Sequence, residues 1–207
     1  MKKVLASVAM MGSIAIAGMA EASLIAFDSF PGSWNGPVDN LIDSGFLISG
    51  NSQGYWIADG PNFCMPEGPG NGTHYLMTQN GDVPISVSSV SGHPFNLYSF
   101  QYAEQQINNY YAPYVTVTGH LLGGNTVRAT FLLDGINDGS GPLADFQTGI
   151  LPDSFHNLIS VDFVAPNYLR YSLDNISVDA TPTPIPAAVW LFASGLMGMI
   201  GLRRKKA

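Results

Sequence analysis

Cysteine is all but absent from this 207-residue chain: Cys64 stands alone, so no intramolecular disulfide can staple the fold. Lysine is missing from the whole stretch between Lys3 and Lys205. From Ser23 to Ala180 the only basic residues are Arg128 and Arg170, set against 14 acidic ones, for a formal charge of −12. A surface so acidic repels nucleic acid and other polyanions and favours cations. Long helical periodicity is also lacking before the tail, and Ala103–Asn109 (AEQQINN) offers one helical turn at most. Catalytic signatures are equally scarce. His74, His93, His120 and His156 are scattered, with no His-x-x-x-His or His-Glu-x-x-His spacing, which argues against zinc. No Gly-x-Ser-x-Gly elbow joins a strand to a helix. A carboxylate pair for glycoside hydrolysis forms in space rather than in sequence, so its absence cannot be read here. The expectation is a protein that is not an enzyme.

What the chain does have is concentrated at its two ends. Lys2 and Lys3 form a positive start, Val4–Met19 an apolar run, and Ala20-Glu21-Ala22 a small-x-small cleavage signature, together the pattern of a signal peptide spanning residues 1–22. The last segment, residues 181–207, opens on a proline-rich joint with Pro182, Pro184 and Pro186, which cannot donate backbone hydrogen bonds and stays extended. An uncharged run from Ala187 to Leu202 follows, closed by Arg203, Arg204, Lys205 and Lys206. Sixteen helical residues reach about 24 Å, short of the roughly 30 Å hydrocarbon core. The run is therefore a marginal transmembrane helix, with its basic end held in the cytoplasm.

The order of these parts resembles a known signal. Pro184-Ile185-Pro186-Ala187, then Ala-Val-Trp190-Leu-Phe-x-Ser-Gly-Leu, then Arg203-Arg204-Lys205-Lys206 is similar to the PEP-CTERM sorting signals of Gram-negative bacteria. Ile185 stands where the eponymous glutamate would be, as in the Val-Pro-Leu-Pro-Ala variants of that family. The resemblance implies recognition by an exosortase, a membrane protease, followed by transfer to the cell surface or extracellular matrix. A plain C-terminal anchor would use the same helix and basic stop.

Between the ends, residues 23–180 read as one β domain. Runs rich in Val, Ile, Thr, Tyr and Phe are separated by Gly, Pro, Asn and Asp. The predicted strands are Leu24–Phe27, Phe46–Ser49, Tyr55–Ala58, His74–Thr78, Ile85–Val90, Asn96–Tyr102, Tyr114–Leu122, Thr126–Leu133, Phe146–Leu151, Ser160–Val164 and Leu169–Val178. Gly123-Gly124-Asn125 is a hairpin signal. Strands so short and so spaced predict an all-β antiparallel sandwich of two sheets, jelly-roll-like. Ile85–Phe100, Val115–Gly119 and Tyr171–Val178 resemble strand units of galactose-binding-like and carbohydrate-binding jelly rolls.

That second resemblance implies one candidate site, and the aromatic residues themselves offer another. Jelly rolls of this kind often hold structural calcium at a position like Asp174, with Asp28 after the first predicted strand as its natural partner; Asp174 would serve equally as a turn cap. Asp134 and Asp138 lie in a further acidic loop, which lacks the EF-hand's closing glutamate. Aromatic side chains could instead stack on sugar rings. Trp56, Tyr110 and Tyr111 are the chosen candidates, with Trp34, Tyr55 and Tyr114 also available, although most sandwich aromatics are packing residues. The functional expectation is a structural or adhesive protein of the cell surface or exopolysaccharide matrix. The alternatives are a tethered carbohydrate-binding module and, behind it, a secreted hydrolase.

Overall fold

A computed structural model describes residues 22–31, 40–50, 55–58, 69–78, 80–105, 112–133 and 146–179. Twelve strands appear there: β1 (Ala22–Ile25), β2 (Asn40–Asp43), β3 (Phe46–Ser49), β4 (Tyr55–Ala58), β5 (Tyr75–Thr78), β6 (Ile85–Ser89), β7 (Leu97–Glu104), β8 (Tyr114–Leu121), β9 (Thr126–Leu132), β10 (Gln147–Ile150), β11 (Leu158–Val164) and β12 (Tyr171–Asp179). The one helical element described is a single 3₁₀ turn at Asp153–Phe155.

All pairings between these strands are antiparallel, and they build two sheets. Sheet A runs β10-β7-β12-β5-β4, and β1 pairs with the far half of β12. Sheet B runs β2-β3-β6-β11-β8-β9. The last eight strands pair as a ribbon folded back on itself: β5 with β12, β6 with β11, β7 with β10, and β8 with β9. Two antiparallel sheets with almost no helix make a β-sandwich, as the strand-like runs and turn residues lead one to expect.

The core follows from alternation. In β8 the residues Val115, Val117 and Gly119 are buried while Tyr114, Thr116 and Thr118 face outward, the two-residue period of a half-buried strand. Phe46, Ile48, Ile85, Val87, Val161 and Phe163 continue the inner face of sheet B, opposite Leu76, Phe100, Leu173, Ile176 and Val178 of sheet A. Phe100 stacks edge-on against Phe131 and Phe163, with ring centroids 4.9 and 5.1 Å away, and so joins the two sheets. Each buried side chain of this size contributes about 1.5–3 kcal/mol. Two inward glycines make room for the rings. A Cβ on Gly149 would come within 2.7 Å of Phe100, and one on Gly119 within 2.7 Å of Leu158 and 3.2 Å of Phe155.

Strand ends shift by a residue or two from the sequence-based expectation, as at β1 and β11, and three differences have a local cause or partner. Strand β2 is an addition, created by Ser44-Gly45. Both residues have positive φ, +51° and +81°, and Asp43 pairs with Phe46 across them, the two-residue turn with the native hairpin twist. Ala103 and Glu104 extend β7 instead of starting a helical turn, because they pair with Ser172 and Tyr171 of β12. The final strand begins at Tyr171, not Leu169, and ends at Asp179. Among the described residues no helix is long and apolar enough to cross a membrane. The expected signal peptide of residues 1–22 and the expected sorting tail with Pro184, Ile185, Pro186, Ala187, Trp190, Arg203, Arg204, Lys205 and Lys206 lie outside them, Ala22 excepted.

Candidate functional site

The outer face of sheet B is open, and its register lines up one polar row. Asn40 pairs with Ser49, Ser49 with Ser86, Ser86 with Asp162, Asp162 with Thr118, and Thr118 with Arg128. Paired residues share a face, so six polar side chains from six strands stand side by side. Five strand spacings of about 4.8 Å give the row a length of about 24 Å. All six side chains are half-buried or exposed.

Hydrogen bonds organise the middle of this row. Asp162 accepts from the Ser86 hydroxyl through Oδ1, and its Oδ2 lies 2.8 Å from His120 Nε2. The carboxylate stands between the serine and the histidine, so the imidazole does not reach Ser86 as a base. This is a positioning cluster, without the serine–histidine contact that nucleophilic catalysis needs. At the outer end of the row, Arg128 Nε donates to Thr118 Oγ1 over 3.4 Å.

Beside Arg128 the face dips into a groove of about 200 Å³, lined by Tyr114, Thr116, Thr118, Arg128, Val164, Ala165 and Pro166. A typical small-molecule pocket is roughly 300–1,000 Å³, so this groove has room for one small ring and not for an enclosed substrate. Tyr114 is 36 % exposed and supplies an aromatic flank. The threonine hydroxyls and the guanidinium supply donors and acceptors. Aromatic plus hydroxyl plus open groove is a combination suited to a sugar ring, which is apolar on its faces and polar at its rim.

The outer face of sheet A is built differently. Asp174 points outward from β12 yet is fully buried. Its Oδ2 accepts from Asn71 Nδ2 at 2.6 Å, Thr73 Oγ1 at 3.0 Å and Asn175 Nδ2 at 3.2 Å, and its Oδ1 accepts from the Asn175 backbone N–H at 2.7 Å. Burial pushes the Asp174 carboxyl up to about 6, against the pull of the Asn71, Asn175 and Thr73 hydrogen bonds, and the charge of Asp28 adds to the rise. Asp28 in turn accepts from the His74 backbone N–H at 3.0 Å. Two left-handed residues aim the pair: Phe27 at φ +58° and Asn175 at φ +46°. Asn175 sits where the β12–β7 register shifts, a β-bulge of the kind that redirects side chains near sites.

Neighbouring residues of one loop reach the two predicted calcium residues, Thr73 bonding Asp174 and the His74 backbone bonding Asp28. Asp174, Asn71 and the Gln101 amide already spend oxygens on donors from Asn71, Thr73 and Asn175, so a hard cation there would have to displace those donors. Among the described residues no group of three or more His, Cys, Asp and Glu converges, so any cation would depend on the amide and hydroxyl oxygens. Neither Asn71 nor Thr73 was a sequence candidate. The signal for the cluster was the doubled polar pair Asp174-Asn175 inside an otherwise alternating strand. Of the sugar-binding candidates, Trp56 lies in β4 opposite Met77, and Tyr110 and Tyr111 lie outside the described residues, as do Trp34, Asp134 and Asp138.

Neither a family model nor a curated protein matches the chain. Among solved structures it is similar to a family 29 carbohydrate-binding module from Piromyces equi, at TM-score 0.44 and 10% identity over 79% of this chain and 92% of that one. A further family 29 carbohydrate-binding module aligns at TM-score 0.44 and 16% identity, over 82% and 97% of the two chains. The K2 cleaved adhesin domain of Lys-gingipain aligns at TM-score 0.46 and 15% identity, over 76% and 97%. The likeness is one of fold.

Proposed function

We propose that this chain is an exported surface or matrix protein whose β-sandwich holds polysaccharide on the outer face of sheet B. The observation that carries this reading is the open groove with Tyr114 at its flank, continued by the polar row of Ser49, Ser86, Asp162 and Thr118. An extended glycan lying along such a row exchanges water for hydroxyl and carboxylate partners, while the groove seats one ring against the tyrosine. The protein's role is adhesive or structural, contacting exopolysaccharide without transforming it. The folded-back ribbon from β5 to β12 supports the jelly-roll reading of the sandwich.

In this reading a signal peptide exports the chain, and the C-terminal signal holds it in the inner membrane until an exosortase processes it and releases it to the surface. One feature of the fold suits that route. Ala22 pairs with Asp179, so the start of the first strand and the end of the last lie side by side. Calcium is the proposed structural ion of the second cluster, where Asp174 and Asp28 would hold it with the Asn71 and Thr73 oxygens.

The test of the binding reading is affinity electrophoresis of the whole chain, in mild detergent, through gels containing exopolysaccharide. Retardation that disappears in Tyr114→Ala supports it, and migration indifferent to both polymer and mutation rejects it. For the sorting reading, mass spectrometry of surface-released protein should find neither Met1–Ala22 nor the residues beyond the proline joint. Intact Arg203–Lys206 in that material would leave a plain anchor.

A further inference from the structure

The groove on sheet B holds a cation where the rest of the domain offers almost none. Arg128 is one of two basic residues between Ser23 and Ala180, against 14 acidic ones. Ordinary statistics would pair it with a carboxylate, yet among the described residues the one ion pair is His120–Asp162. The carboxylate in Arg128's own row is Asp162, two strands away across Thr118. The two backbones are about 10 Å apart there, and no ion pair joins the two side chains. Both Asp162 oxygens are moreover engaged, by Ser86 and His120. Among the described residues the guanidinium's one hydrogen bond is the long one to Thr118, and Tyr114 and Thr116 line the same groove.

Resting on the reading that this groove seats a sugar ring, we infer that it selects rings bearing a carboxylate, so that its ligand is a uronic-acid polysaccharide. Arginine presents a planar fork of donors that matches a carboxylate with two parallel hydrogen bonds. The Tyr114 ring would lie along the apolar face of the sugar, and the Thr116 and Thr118 hydroxyls would meet its ring hydroxyls. The recognition is local, because the field of the whole domain works against it. A formal charge of −12 between Ser23 and Ala180 disfavours any polyanion, so a preference for an acidic polymer can come only from a specific contact.

That opposition gives the test its direction. The whole chain in mild detergent is titrated by calorimetry at about 0.15 M salt with polygalacturonate and with the same polymer fully methyl-esterified. The proposal expects the acid to bind about tenfold more tightly, the ratio a single hydrogen-bonded charged contact supplies. Arg128→Gln should erase that ratio by weakening the acid's binding more than the ester's, and Arg128→Lys should keep part of it. Equal binding of the two polymers, or tighter binding of the ester as the domain's charge alone would give, overturns the proposal, as does a preference that survives Arg128→Gln. Poly-glutamate, which carries carboxylates without a sugar ring, should bind far more weakly; affinity equal to polygalacturonate's also overturns it. If the ester binds in a Tyr114-dependent way and no preference appears, only the uronic-acid inference fails. If neither polymer binds, the polysaccharide reading falls with it.

Discussion

The two outer faces of this sandwich come from similar strands and meet opposite fates. On sheet A the outward residues Tyr75, Met77, Ala103, Ser172 and Asp174 are buried. Tyr75 and Met77 pack with Ala58 and Phe146 in a second apolar cluster, and Ser172 donates to Gln105. On sheet B the outward Thr116, Thr118, His120, Arg128 and Asp162 keep contact with solvent. Polar groups under cover must be matched one by one, because a buried carboxylate costs several kcal/mol unless donors surround it. Asp174 has four such donors. Arg128 has one distant hydroxyl. Saturated polar groups hold a fold together, and unsaturated ones in an open groove are free to take a ligand. On that logic sheet A is the face that stabilises the domain, and sheet B is the face proposed to bind.

The comparison can be broken outright by removing what both faces share. Phe100→Ala takes away the ring between Phe131 and Phe163 and should cost about 3–5 kcal/mol in denaturant unfolding, with stability and glycan binding lost together. A more selective break is Asp174→Ala, which leaves the Asn71, Thr73 and Asn175 donors without their acceptor. It should cost about 1–3 kcal/mol and leave glycan affinity unchanged in the folded protein.

The next prediction concerns pH. The folded-state value of Asp174, about 6, lies above its ordinary 3.8, so the folded chain holds this proton more tightly than the unfolded one. Its contribution is full below about pH 4 and is lost as pH rises through about 6, a change of up to about 3 kcal/mol. In a chelator, the melting temperature of wild type relative to Asp174→Asn should therefore fall by several degrees from acid to neutral pH. Calcium bound at Asp174 and Asp28 would favour the ionised carboxylate and reduce that fall. A relative melting point flat with pH would show that Asp174 is not the buried acid described. The smallest effects belong to sheet B, where Thr116→Ala and Arg128→Gln should move stability by no more than about 0.5 kcal/mol. A large loss of stability from either would place them in the scaffold and erase the distinction between faces.

Much of this was legible in the sequence, for a simple reason. Val115-Thr-Val-Thr and Ile85-Ser-Val-Ser alternate strictly, so their strands and inward residues could be read directly. Strand β2 escaped because Leu41 and Ile42 are adjacent and show no alternation; its signal was the Ser44-Gly45 turn. Asp174 and Asp28 were named from the sequence, and their loop partners were not, because Asn71 and Thr73 lie about a hundred positions from Asp174 in the chain. The groove was the least legible part. Tyr114 stood among the aromatic candidates, but Thr118, Arg128 and Val164 become neighbours only through the register of β11, β8 and β9. Alternation assigns a side chain to a face and does not say which face will be covered.

The central claim is that sheet B's open face binds glycan while sheet A's covered face does not. It is tested most directly by affinity electrophoresis of three whole-chain proteins through one exopolysaccharide gel: wild type, Tyr114→Ala and Asp174→Asn. The account expects wild type and Asp174→Asn to be retarded alike, and Tyr114→Ala to run as it does without polymer. Retardation kept by Tyr114→Ala and lost by Asp174→Asn would contradict it.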